Sequence, residues 1–516
     1  MKKWYSFLEV LKFPLIILFM SWLFYGVGNL ITNPAFAPLY VVDNELILAF
    51  AYAIMRLATF FIVCFPVIVL LRLCSKRVNG INSILTGFIG YVTFLVFTIY
   101  FGNSSLPNYA YSAIMGISVT NSSLANLAGA TRYPLQTGLI GVVAIMLVTR
   151  LALKQSKNRL ANGFFGYIDK DVTAVLLTVI YSALVGIGFG ILWPQLIQEF
   201  QELLTFIATG SSNPVNLSIY GAVDRLFSTL NLSNLLRNSF WFKSAGGSIM
   251  NMVGESVMGD VNIWSAVVNS GAISTQAGKF ITPYYVLNIF AIPGMLIAIY
   301  TLNTDKLARR KNQSFFLLAI LVSIFTGTLV PVELVLLLLC PLLYVLHILY
   351  SGLLFGVFQI LEVYLGYQAT STNVVTATPG TLMELLTYAQ NSQFRQDIMM
   401  VIIVGVISFF VYLIFTRVYF DYMAFDIFST GKTRQVAVDM IDAFGGSGNI
   451  KMIYSSINNI TIQVFDPTLI SVEKIKRCGA VKLYENKAGF VVDYGSGSRI
   501  VGKAMNKELR EAIRKV

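Results

Sequence analysis

Long apolar runs separated by short polar breaks dominate this chain. A hydrocarbon core roughly 30 Å thick needs about 20 apolar residues per helical crossing. Runs of that kind occur at Pro14 to Ile31, Leu46 to Leu71, Ile84 to Phe101, Leu135 to Leu153, Val172 to Ile197, Pro283 to Leu302 and Met399 to Thr416. Phe315 to Val363 is apolar for more than two crossings, which predicts a fold-back. The first run lacks a small-residue cleavage site and is followed by bulky residues, so it reads as a span and not as a signal peptide. The pattern is that of a polytopic α-helical membrane protein.

Two stretches between the spans break the pattern. Asn103 to Thr131 and Gly210 to Gln276 are moderately apolar, rich in Gly, Ser and Asn, and carry a few charges. Irregular backbone persists at membrane depth only where protein shields it or where it lines a wet cavity. The first stretch is equally compatible with an extracytoplasmic loop, whereas the second reads more strongly as re-entrant. Beyond Thr416 the chain turns polar. Val436 to Phe444 has helical periodicity and stops at a Gly pair, Ile460, Ile462 and Val464 alternate towards Asp466, and Phe490 and Val492 alternate before Gly495. Helix, strand, helix, strand over about eighty residues predicts a small α/β domain.

Composition agrees with that reading. Of 516 residues, 56% are hydrophobic and only 12% charged, which excludes an ordinary water-soluble globule. The net charge of +12 raises the question of nucleic acid. The basic residues, however, fall in clusters: Lys2 and Lys3; Arg72, Lys76 and Arg77; Arg150, Lys154, Lys157 and Arg159; Lys306, Arg309, Arg310 and Lys311. Each cluster lies where an alternating trace begun inside returns to the cytoplasm, so the charge reports topology and no nucleic-acid partner is expected. The same trace puts the polar tail in the cytoplasm. Cys64, Cys74, Cys340 and Cys478 lack disulfide or metal spacing. Gly445-Gly-Ser-Gly448 lacks the Lys-Ser/Thr ending of a phosphate-binding loop, so neither a metal nor a cofactor is expected.

Several collinear segments resemble a known family. They are Phe164-Phe-Gly-Tyr-Ile168, Gly190-Ile-Leu-Trp-Pro194, Tyr220-Gly-Ala-Val-Asp-Arg-Leu226, Ala291-Ile-Pro-Gly-Met-Leu-Ile-Ala-Ile-Tyr300, Thr326-Gly-Thr-Leu-Val-Pro-Val-Glu333 and Pro341-Leu-Leu-Tyr-Val-Leu-His347. In order and spacing they are similar to motifs of the glucose, N-acetylglucosamine and maltose type of phosphotransferase system (PTS) permease, in which the Trp-Pro closes the fifth helix. The tail segments Phe444-Gly-Gly-Ser-Gly-Asn-Ile450 and Ile475-Lys-Arg-Cys-Gly-Ala480 resemble that family's IIB domain. The resemblance implies a homodimer with about ten spans and two re-entrant hairpins per subunit, the glucose-superfamily EIIC fold, in which one half scaffolds the dimer and the other moves sugar as a rigid body. It further implies an EIIC-like permease domain at 1–425, a linker at 426–433 and a cytoplasmic EIIB-like α/β domain at 434–516, in a bacterial cytoplasmic membrane.

The chemistry departs from the family. Its IIB motif Cys-x-Thr-Arg-Leu-Arg, which carries phosphate on the thiolate, is matched here by Ser456-Ile-Asn-Asn-Ile-Thr461. A serine hydroxyl without a base is not nucleophilic near neutral pH. Cys478 reads as a small buried hydrophobe. In the membrane body, the carboxylate thought to accept the sugar 6-hydroxyl is matched by Val330, which neither accepts a hydrogen bond nor takes a proton. The family's two histidines give way to hydroxyls and amides in Asp224-Arg-Leu-Phe-Ser-Thr-Leu-Asn-Leu-Ser-Asn234. Arg225, Asn231, Ser233, Asn234 and Glu333 remain as candidate substrate-binding residues, and no catalytic residue is expected.

Arg225 and Glu333 are ionisable residues at predicted membrane depth, which points to function, with a structural ion pair as the alternative. Glu255 and Asp260 are read as turn caps or vestibule residues, and His347, the single histidine, as structural. The expected function is a PTS sugar permease that binds and translocates a sugar without phosphorylating it autonomously. The alternative is a transport-inactive paralogue serving as a membrane regulator or partner subunit. Other PTS proteins are candidate partners. An unrelated channel or peptide exporter fits the collinear motifs poorly.

Overall fold

The computed structural model describes residues 2–77, 81–102, 106, 110–120, 131–156, 169–250, 254–270, 276–302, 306–327, 329–368, 379–423, 432–456, 458–486, 489–494 and 497–513. The motif at 164–168, and 426–431 of the expected linker, lie outside them. The chain divides into two compact units, 1–289 with 322–405, and 290–321 with 406–516.

The first half contains α1 (Lys2–Thr32), α2 (Glu45–Val63), α3 (Phe65–Arg77), α4 (Ile81–Phe101), α5 (Gly138–Ser156), α6 (Lys170–Thr209), α7 (Pro214–Thr229) and α8 (Ser233–Phe242). The stretch Leu46 to Leu71, read as one span, is two helices that break at Cys64, because Pro66 has no N–H to continue the α-helical ladder. Conversely, α6 does not close at Trp193-Pro194; it runs through Pro194 to Thr209, giving 40 residues. A short hairpin, β1 (Ser248–Met250) with β2 (Ser256–Met258), leads into α9 (Asp260–Ser270).

Next come α10 (Pro283–Val286), a π-helical turn at Leu287–Ala291, α11 (Ile292–Thr301) and α12 (Lys306–Thr326). The apolar stretch 315–363 is broken more than once. Gly327, at φ +64°, ends α12; α13 (Val330–Leu339) follows, and Cys340 with Pro341 separates it from α14 (Pro341–Ile360). The short α15 (Leu382–Ala389) precedes α16 (Arg395–Met423). Among the described residues eight helices are long and apolar enough to cross a membrane, against the expected ten or so, and three further apolar helices are shorter.

Small residues set the packing that positions the interior. Glycines let helices approach closely where no hydrophobic drive between helices exists. A Cβ added at Gly90 would stand 2.6 Å from Thr178, and one at Gly186 2.7 Å from Phe97, so α4 and α6 lie nearly backbone to backbone. On α14, Gly352 and Gly356 are one turn apart, and a Cβ at Gly352 would stand 2.5 Å from the Ser218 carbonyl of α7. That seam holds α14 against α7 and brings His347 into the same interior as Arg225.

The tail has its own core. The helix α17 (Lys432–Ala443) leads into four antiparallel strands, β3 (Ile450–Ser455), β4 (Asn459–Val464), β5 (Lys482–Asn486) and β6 (Gly489–Asp493), in the order β3-β4-β6-β5. Between them lies α18 (Val472–Arg477), and α19 (Ser498–Ile513) closes the domain. The expected helix-strand-helix-strand pattern is thus short by two strands and a helix. β3 escapes period-2 reading because a register shift between Ile450 and Met452 spaces its buried Ile450 and Ile453 three apart, and β5 because it pairs at the sheet edge with mostly exposed side chains. Ile460, Ile462, Val492, Met440 and Met505 are fully buried in this core.

Candidate functional site

The interior site is built on a tight α7–α8 turn. Asn213 caps α7 by accepting from the Val215 N–H at 2.9 Å, and Pro214 occupies the first helical turn. At the other end Asn231 adopts φ +60°, a left-handed value that asparagine accepts more readily than most residues. The Leu232 N–H reaches the Phe227 carbonyl at 2.7 Å and the Asn231 N–H the Ser228 carbonyl at 3.1 Å, the paired bonds of a Schellman turn. This reversal lays α8 back on α7 so that Arg237 faces Asp224.

Asp224 is the centre of the cluster. Its Oδ1 accepts from Arg237 Nε at 2.5 Å, and its Oδ2 from Arg225 Nη2 at 2.5 Å, Arg237 Nη2 at 3.0 Å and the Tyr284 hydroxyl at 2.6 Å. Arg225 Nη1 extends to Glu333 Oε1 at 3.2 Å, and His347 Nε2 stands 3.1 Å from the same oxygen. Arg237 also donates to Ser228 Oγ at 2.8 Å. Ring faces complete the enclosure: Arg225 lies 4.9 Å from the Tyr284 centroid and Arg237 4.9 Å from that of Trp241. The side chains of Asp224, Arg225, Arg237, Glu333 and His347 are all 0% exposed. Two carboxylates thus face two guanidinium groups, and such pairing is how charge persists in an interior of this kind.

Arg225 and Glu333 therefore meet, and they meet each other. Neither lines open space. The adjacent cleft is lined instead by Ser228, Thr229, Asn231 and Ser233 on its polar side and by residues including Trp22, Phe65, Val330 and Leu334 elsewhere. Its free volume is about 10 Å³, room for a single water. Asn234 is half-buried on α8 and does not line it.

Asp224, Arg237 and Tyr284 belong to the cluster without being among the candidates named from the sequence. The argument that singles out Arg225, an ionisable side chain at membrane depth, applies equally to Arg237, and Asp224 is its neighbour in sequence. His347, read as structural, is a direct partner of Glu333. Asp260 opens α9 and accepts from the Gly278 N–H at 2.8 Å, a link to a residue 18 positions on, while Glu255 is exposed.

In the tail, Ser456 lies in the exposed connection between β3 and β4. Its N–H donates to the Asn459 carbonyl at 2.8 Å, and its Oγ accepts from the Asn459 N–H at 3.2 Å. The hydroxyl closes a turn, and the single histidine of the chain belongs to the other cluster. Cys478 follows α18 and packs on the tail core; burial pushes its thiol up from the usual range, so it is not a ready thiolate.

No protein-family model matches the chain. It is 27% identical over 364 residues to the PTS system glucoside-specific EIICBA component of Staphylococcus carnosus (strain TM300), an alignment that covers 68% of this chain and 50% of that protein. The chain thus spans about half the length of that relative. That relative bears out the resemblance to glucose-family PTS permeases, and with the eight apolar helices it supports a multi-pass membrane protein.

Proposed function

We propose that this protein is a sugar permease of the glucose-family PTS kind, multi-pass in a bacterial cytoplasmic membrane, that binds and moves a sugar without phosphorylating it on its own tail. The observation that carries the reading is the charge-balanced interior cluster beside a cleft lined by hydroxyls and an amide. Sugar sites use such neutral groups within a mostly apolar, pre-formed pocket. In this reading Asn231 and Ser233 contact the ligand, Asn234 joins them on opening, and Arg225 and Glu333 hold the hairpin in register and reach the ligand only when the cleft widens. The glucoside specificity that the relative's name carries makes glucosides the first ligands to try.

The proposed organisation keeps a permease domain at 1–425, a linker at 426–433 and a cytoplasmic EIIB-like domain at 434–516, in a homodimer that takes phosphate, where it does, from separate PTS proteins. Ser456 supports the absence of autonomous phosphotransfer. Incubated with the general phosphocarriers, the purified protein is expected to take up no label on its tail, whereas a Val330→Glu, Ser456→Cys double variant regains some. Label on wild-type Ser456 would refute the reading of the tail. Saturable binding of a sugar from a panel of hexoses, amino sugars, disaccharides and glucosides tests the permease body.

A second reading, a transport-inactive membrane regulator or partner subunit, is favoured by one observation. The cleft holds no more than one water, and every charged side chain beside it already has a partner. Failure of every sugar in the panel to bind would select it.

A further inference from the structure

One buried donor beside the cleft stands apart. Trp22, in the second half of α1, is 2% exposed, yet its indole Nε1 has no hydrogen-bond partner among the described residues. A buried tryptophan N–H usually finds an acceptor, and a donor left without one carries the desolvation penalty uncompensated. The side chain forms part of the cleft wall, with Leu18 one turn before it on the same helix face. The hydroxyl donors across the cleft are engaged elsewhere. Thr229 Oγ1 donates to the Arg225 carbonyl at 2.9 Å, and Ser233 Oγ stands 3.4 Å from Ser228 Oγ, which itself accepts from Arg237.

We infer that Trp22 donates its Nε1–H to an uncharged hydroxyl oxygen of the ligand, which sits in this notch beside Val330, and so fixes one hydroxyl position in specificity. The inference deepens the sugar-binding reading and rests on it. Three features converge on a neutral hydroxyl. The free space fits one water-sized group. Ile62, Phe65, Val330 and Leu334 supply an apolar wall that offers an ion nothing. The neighbouring cluster already balances two carboxylates against two guanidinium groups, so an added charge meets no counter-ion.

The test uses the full-length protein in nanodiscs, a panel of neutral hexoses and glucosides, and the singly deoxygenated analogues of whichever sugar binds best. Trp22→Phe keeps an aromatic ring and removes the donor. It is expected to weaken that sugar about 3- to 10-fold, the worth of one neutral hydrogen bond. One deoxy analogue should bind wild type more weakly by a similar factor and lose nothing further on Trp22→Phe. Equal affinities of wild type and Trp22→Phe for the parent sugar, with every deoxy effect additive, would mean that the notch holds only a structural water and would overturn the inference while leaving the permease reading intact. Absence of saturable binding to wild type by any panel member would sink both. If Trp22→Phe does not fold, Val330→Leu fills the notch from another wall. The parent sugar should then bind no better than the critical deoxy analogue, and retained discrimination between the two overturns the inference.

Discussion

Two regions of this molecule hold the residues that the resemblance matches to PTS chemistry, and they are built differently. In the interior cluster, Asp224, Arg225, Arg237, Glu333 and His347 are wholly buried and hold one another. In the tail, Ser456 lies in an exposed turn whose hydroxyl serves only the local backbone. The contrast has a physical root. Removing one member of a buried ionic network strands its partner in a medium that cannot solvate it, whereas a side chain in an exposed turn can be exchanged because water meets whatever is left. A buried charge is therefore tied to its partners as a set, whereas a residue in the exposed turn is exchanged at little cost.

The largest effect expected from breaking this contrast is at Asp224. Asp224→Asn leaves Arg237 without its counter-charge and should destabilise the protein by about 3–5 kcal/mol, enough to abolish a monodisperse peak in detergent on size-exclusion chromatography. A stable, monodisperse variant would show that water reaches the cluster. Glu333→Gln is milder, because Arg225 keeps Asp224 and the amide oxygen still accepts; a loss of about 1–3 kcal/mol in thermal stability is expected.

Glu384 sharpens the comparison, since it is a buried carboxylate outside the long spans held by backbone amides in place of arginines. It accepts from the Gly380 N–H at 2.6 Å and the Thr381 N–H at 2.8 Å in a capping box on α15. Burial pushes it up to about 7 from 4.5, against the lowering effect of those amides. The folded state thus keeps its proton to higher pH than the unfolded chain, so this group's contribution is fully present below about pH 4.5 and is lost as pH rises through about 7. Glu384→Gln should flatten the dependence of melting temperature on pH between those values, and an unchanged slope would show that the carboxylate is hydrated. The smallest effect belongs to the turn: Ser456→Ala should shift the stability of the tail by less than about 1 kcal/mol, measured by thermal melting.

Much of the membrane body was legible in the chain because hydrocarbon imposes a length and a composition on every crossing, and both are local properties. The breaks were less legible. Pro66 splits one apolar run while Pro194 leaves another continuous, a difference that depends on what packs beside each proline and not on the residue itself. The edge strands β3 and β5 show no alternation, because a register shift puts the buried Ile450 and Ile453 of β3 three apart and because β5 is mostly exposed.

At the site, the sequence by itself determined the chemistry each side chain allows, since Ser456 and Val330 cannot do what a thiolate and a carboxylate do whatever surrounds them. Only the tertiary structure decided who pairs with whom. Asp224 and Arg237 face each other because a left-handed Asn231 reverses the chain, and His347 reaches Glu333 from another helix 14 residues on. The orphaned N–H of Trp22 depends on side chains separated by some two hundred residues or more. Residue chemistry is a property of the letter, but pairing and vacancy are properties of distance, and distance is settled only when the helices pack.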